Sequence, residues 1–64
     1  METITLVCVE NDNTKEAEVI ERDDLYMKVH VPGTELFIEL FRQDMDTPYN
    51  GKKGGLTFEW EPKN

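Results

Sequence analysis

The shortages of this chain narrow its possibilities first. It carries one cysteine, Cys8, and one histidine, His30, in 64 residues. A lone cysteine excludes an intramolecular disulfide, the usual staple of small secreted domains. One cysteine and one histidine also fall short of the ordinary ligand sets of a zinc site. Long apolar runs are missing too. The longest, Leu6-Val7-Cys8-Val9, is far shorter than the roughly 20 residues that cross a bilayer as a helix. The opening Met1-Glu2-Thr3-Ile4 has neither the basic region nor the apolar segment of a signal peptide. These absences predict a cytoplasmic protein that does not enter a membrane.

Positive charge is scarce as well. Seven Lys and Arg stand against fourteen Asp and Glu, for a net charge of −7. Such a field repels phosphate backbones and anionic lipid, so direct nucleic-acid binding is disfavoured. Its plain meaning is solubility in a small domain. A sharper reading is mimicry, in which carboxylates imitate a phosphate array and occupy a DNA-binding protein. Residues 1–64 suffice for a single domain, and a chain this short buries only about 60% of the surface its unfolded form exposes. Every large apolar residue is therefore expected to have a structural or binding role.

What the chain does have is alternation. Over residues 3–10, Ile4, Leu6 and Cys8 fall on one face of a strand, and Thr3, Thr5, Val7 and Val9 on the other. Asn11-Asp12-Asn13-Thr14 reads as a turn. Residues 15–21 and 25–31 then read as a hairpin broken at Arg22-Asp23-Asp24, with Ala17, Val19, Leu25, Met27, Val29 and Val31 facing inward. A loop at that break sets Val19 opposite Met27 and Ala17 opposite Val29 inside. Outside it sets Glu18 opposite Lys28, Glu16 opposite His30 and Ile20 opposite Tyr26, three favourable cross-strand pairs. Pro32-Gly33 breaks the chain again.

Residues 34–43 fit two templates. As a strand they set Leu36, Ile38 and Leu40 on one face and Glu35, Phe37, Glu39 and Phe41 on the other. As a helix they have Thr34 as N-cap and a stripe of Leu36, Phe37, Leu40, Phe41 and Met45. The strand is preferred, because Phe and Ile are weaker helix formers and the neighbouring segments alternate. Residues 44–55 are rich in turn formers and read as one long loop. Residues 56–61 alternate again, with Leu56, Phe58 and Trp60 inward, and Pro62-Lys63-Asn64 reads as a frayed tail. The expected fold is all-β, or β-rich α+β if residues 34–45 are helical: a small five-stranded, partly closed barrel or roll, SH3-like or Sm-like.

No catalytic constellation emerges, and no enzyme, cofactor or metal site is expected. His30 lies on the outer hairpin face with no nucleophile near it, which suits a surface pair. Cys8 falls among apolar residues and reads as an inert buried thiol. Asp44-Met45-Asp46 hints at a calcium loop, but Pro48, Tyr49 and Gly55 stand where such a loop needs an oxygen ligand, a glycine and a glutamate.

Two candidate sites are left. In Gly51-Lys52-Lys53-Gly54-Gly55, the side chains of Lys52 and Lys53 and the backbone at Gly54 are candidates for holding a phosphate, nucleotide or other small anion, although the spacing is not that of a phosphate-binding loop leading into a helix. In the strand reading Phe37 and Phe41 emerge opposite the core-facing side. Either the long loop covers them through Tyr49, or Phe37, Phe41 and Tyr49 form a partner surface. The functional expectation is a small acidic, non-catalytic interaction module that binds a protein partner or itself through this aromatic face. The alternatives are a nucleic-acid-mimicking inhibitor and a small-anion binder at Lys52, Lys53 and Gly54.

Overall fold

Alternate residues turn to one side along each extended segment, and the apolar set on that side closes into a barrel. A computed structural model describes residues 2–62; the tail expected at Lys63 and Asn64 lies outside the described residues. Six strands are present, β1 (Thr3–Cys8), β2 (Thr14–Arg22), β3 (Tyr26–His30), β4 (Phe37–Phe41), β5 (Tyr49–Lys53) and β6 (Leu56–Trp60). Each pairs antiparallel with its neighbour in the chain, and β1 closes against β6. The protein is therefore an all-β closed barrel. The core comprises Ile4, Leu6, Cys8, Ala17, Met27, Val29, Val31, Ile38, Leu40, Tyr49 and Phe58, with Val19, Leu36 and Trp60 packed against it.

The two-template segment is a strand. β4 pairs along its whole length with β3, from His30 opposite Phe37 to Tyr26 opposite Phe41, and Ile38 and Leu40 are fully buried. Thr34 serves a turn and not a helix N-terminus. Its hydroxyl donates to the Val31 carbonyl and accepts from the Leu36 N–H.

The β2–β3 hairpin differs from its expected pairing. Glu18 lies opposite His30 and Val19 opposite Val29, and after an irregularity at Ile20, Glu21 lies opposite Lys28 and Arg22 opposite Met27. Glu16/His30, Glu18/Lys28 and Ile20/Tyr26 are thus not partners. A slip of two residues leaves every side chain on its original face, so the hydrophobic pattern cannot detect it. The extra residue at Ile20 is a β-bulge, which absorbs the remaining offset. Arg22 belongs to the strand, the turn is moved to Asp23-Asp24-Leu25, and Leu25 is exposed and not inward. The Asp23 N–H donates to the Tyr26 carbonyl at 2.7 Å to close it.

The long loop is also corrected, because residues 49–53 form β5 and supply the sixth strand. β5 was hidden by its own chemistry. Tyr49 faces inward, but two residues on, the inward position is Gly51, where a side chain would run into the Glu39 carbonyl of β4. A strand with a glycine at its second inward position has no apolar alternation to show. Gly54 and Gly55, at φ 61° and 80°, connect Lys53 to its partner Leu56. Two positive φ angles in a two-residue connection make a type I′ hairpin turn. Leu56, expected inward, is exposed at the start of β6.

Two of the barrel seams are thin. β4 and β5 are in register at Phe41 and Asn50, and β1 and β6 at Val7 with Glu59 and Cys8 with Phe58.

Candidate functional site

Because Ile38 and Leu40 point into the barrel, Phe37, Glu39 and Phe41 must point out. Phe37 is 43% and Phe41 52% exposed. β3 lies alongside and turns Tyr26, Lys28 and His30 to the same surface, opposite Phe41, Glu39 and Phe37 respectively. The result is three outward-facing cross-strand pairs, Tyr26/Phe41, Lys28/Glu39 and His30/Phe37, on alternate rungs of the ladder. The Tyr26 and Phe41 rings are 5.2 Å apart and tilted by 51°, and the His30 and Phe37 rings are 4.8 Å apart and tilted by 38°. Such tilted contacts are the favoured geometry of aromatic pairs.

Polar groups fix these rings. The Lys28 ammonium lies 5.3 Å from the Phe37 ring centre, within range of a cation–π contact. The Tyr26 hydroxyl donates to Glu39 Oε2 at 3.0 Å. Loss of water around that hydroxyl, and then the Glu39 carboxylate beside it, raise the Tyr26 pKa above its ordinary value. His30 Nε2 lies 2.6 Å from the Thr34 carbonyl; a carbonyl can only accept, so Nε2 carries the proton. His30 Nδ1 is 3.6 Å from Glu18 Oε1. The histidine ring is thus held by one hydrogen bond, from Nε2 to the Thr34 carbonyl, with the Glu18 carboxylate near its other nitrogen. A cleft of about 430 Å³ adjoins Phe41, lined also by Arg42, Gln43, Thr47, Pro48 and Asn50.

Tyr49 does not join this surface. It is 1% exposed and sits in the core, with its hydroxyl donating to the Asp23 and Asp24 carbonyls at 2.7 and 3.1 Å. Its contribution is to hold the β2–β3 turn, so the candidate face reduces to Phe37 and Phe41 with their β3 neighbours. Tyr49 belongs instead to a row at one end of the barrel. The Arg42 guanidinium lies 4.3 Å from the Tyr49 ring, Tyr49 stacks on Trp60 at 5.8 Å, and the Arg22 guanidinium lies 5.2 Å from the Trp60 ring. Sequence reasoning missed this row because its four members come from four separate segments.

Lys52 and Lys53 are exposed in β5 and paired with Thr57 and Leu56. They are part of a hairpin and not of an open glycine loop. The residues flanking a two-residue turn form a hydrogen-bonded pair, which engages the Lys53 backbone in the ladder. As neighbours on one strand, Lys52 and Lys53 turn their side chains to opposite faces, so a small anion at this hairpin meets one ammonium group and not both.

Cys8 is 3% exposed, with its Sγ 3.8 Å from Glu10 Oε1. The same carboxylate oxygen accepts the Thr57 N–H at 2.8 Å. That N–H is the main reason the Glu10 pKa lies below its ordinary value. Glu10 thus ties the end of β1 to β6, a role nothing in its sequence context signals.

Among the described residues there is no group of three or more His, Cys, Asp or Glu placed to hold a metal ion, and no helix long and apolar enough to cross a membrane. Comparison with protein-family models, with curated proteins and with solved structures found no match for this chain.

Proposed function

We propose that this chain is a non-catalytic interaction module, acting in the cytoplasm, that binds a protein partner through the outer face of β4. The observation that carries the reading is the exposure of Phe37 and Phe41 on one strand, in a chain whose small size leaves little apolar surface to spare. Fully burying an exposed phenylalanine is worth about 1.5–3 kcal/mol, and roughly half of each ring is left to cover, so the two anchors together with a polar rim can support a modest specific contact. Lys28, Glu39 and His30 between and beside the rings supply the polar part.

The test compares the intact protein with a Phe37→Ser/Phe41→Ser variant, in self-association by sedimentation and in quantitative capture of partners. The reading expects a partner, or a second copy, that is held by the native chain and lost from the variant, with little response to salt. A native chain that stays monomeric and captures the same proteins as the variant overturns it. Loss of the partner at a few hundred millimolar salt would point instead to charge mimicry. Amide shifts confined to Lys52, Lys53 and Gly54 on addition of phosphate or nucleotide would favour the anion-binding reading.

A further inference from the structure

The outer face of β3 and β4 lies across the barrel from the β1–β6 seam, and its charges are sorted by strand. Lys28 supplies the ammonium of β3 and Glu39 the carboxylate of β4, on one rung. Tyr26/Phe41 and His30/Phe37 flank that rung on either side, so each outward residue of one strand has its chemical counterpart on the other. The rows beyond follow the same division. On β2, Glu21 stands beside Lys28 and Glu18 beside His30. On β5, Asn50 stands beside Phe41, and Lys52, the next outward residue, is exposed.

Such a face complements its own copy about one kind of two-fold axis and not about another. An axis running along the strands, between β3 and β4, lays β3 of one copy over β4 of the other and keeps each position along the strand. Lys28 then meets Glu39, Tyr26 meets Phe41 and His30 meets Phe37, while Glu18 and Glu21 come over the row that carries Lys52. An axis crossing the strands instead sets Lys28 on Lys28 and Glu39 on Glu39, and like charges placed together across an interface are costly. The rings supply apolar cover either way, so charge makes the choice.

We propose, on the footing that the β4 face is the interaction surface, that its occupant is a second copy of this chain. The two copies form a two-fold dimer whose axis runs along the strands between β3 and β4, with Lys28 on Glu39 twice at its centre. Strands of five residues are about 17 Å long and four of them span about 15 Å, a footprint well short of the roughly 800 Å² per partner of a standard interface. The dimer is therefore weak. The net charge of −7 on each copy weakens it further at low salt. At about 150 mM salt the Debye length is about 8 Å, which screens distant charges and spares pairs in contact.

The experiment is sedimentation equilibrium of the full chain at millimolar concentration and about 150 mM salt, with one component labelled in mixtures. The native chain should dimerise. Lys28→Glu and Glu39→Lys each set like charges against each other twice, and each alone should associate at least about tenfold more weakly, a difference of about 1.4 kcal/mol. An equimolar mixture of the two restores both opposite-charge contacts and should return to near native strength. The double variant Lys28→Glu/Glu39→Lys also keeps an opposite-charge rung within its own sheet, so it carries the test even if a single variant fails to fold. It should pair with itself and not with the native chain. A native chain that stays monomeric overturns the second copy, while capture of another protein that is lost from Phe37→Ser/Phe41→Ser would still uphold the β4 face. A dimer that survives Phe37→Ser/Phe41→Ser overturns both. Single variants that dimerise like the native chain, or a double variant that mixes freely with it, overturn the two-fold arrangement.

Discussion

Gly51 stands where β5 crosses the Glu39 carbonyl, and an added Cβ would fall well inside contact distance of that oxygen. The obstacle is backbone, so it cannot swing aside as a side-chain tip would. Gly51→Ala is expected to cost about 2–4 kcal/mol, against about 1 kcal/mol for Gly54→Ala, which meets no neighbour but keeps a positive φ. Urea midpoints measure both, and equal losses would show that the β4–β5 crossing yields. Tyr49→Phe removes a hydroxyl that serves two carbonyls and is expected to cost about 1–2 kcal/mol. Glu10 makes a prediction in pH. Its folded pKa is lowered by the Thr57 N–H, so its stabilising contribution is present above the unfolded carboxylate pKa and is lost as pH falls through the lower folded value. The stability advantage of the native chain over Glu10→Gln should therefore be full at neutral pH and shrink through the acid range below about pH 4.5. An advantage that persists at the lowest pH would remove Glu10 from the seam.

At the scale of elements, β4 shows how far periodicity reaches. Leu36, Ile38 and Leu40 with Phe37 and Phe41 satisfy both a strand and a helical stripe, and only pairing with β3 along its whole length decides between them. β1 needed no such help, because Ile4, Leu6 and Cys8 alternate with exposed residues and are buried as expected. β5 was illegible for the opposite reason, since its inward position at Gly51 belongs to the neighbouring backbone. The β5–β6 hairpin is well registered internally but joins the rest through the short seams at Phe41 with Asn50 and at Val7 and Cys8 with β6. Amide exchange should therefore be faster in β5 than in β3, whose two neighbours both pair with it over several residues. Equal protection of β3 and β5 would mean that the barrel opens only as a whole.

At the scale of the molecule, the net charge of −7 on 64 residues acts against the compact state through self-repulsion. Raising salt from about 20 to 500 mM should screen that repulsion and raise the melting temperature. A lower melting temperature in salt would mean that paired charges such as Arg22 with Glu2 outweigh the repulsion. The strand template for residues 34–43 put Phe37 and Phe41 on the side of β4 away from Ile38 and Leu40, but the helical template and the loop that could cover them were set aside only by the pairing with β3 and the exposure of both rings. Tyr49 was not placed, because its side depends on a strand that composition disguised as a loop.

The sequence by itself determined that β1, β2, β3 and β6 are strands and that Ile4, Leu6, Cys8, Ala17, Met27, Val29 and Phe58 face inward, because each follows from a period of two along a single segment. Only the tertiary structure decided the β2–β3 register with its bulge, the choice of strand over helix at β4, the exposure of Phe37 and Phe41, the existence of β5 and the burial of Tyr49. Those features depend on which backbone lies beside which, and a two-residue slip or a glycine under a neighbouring carbonyl leaves the hydrophobic pattern of the chain unchanged.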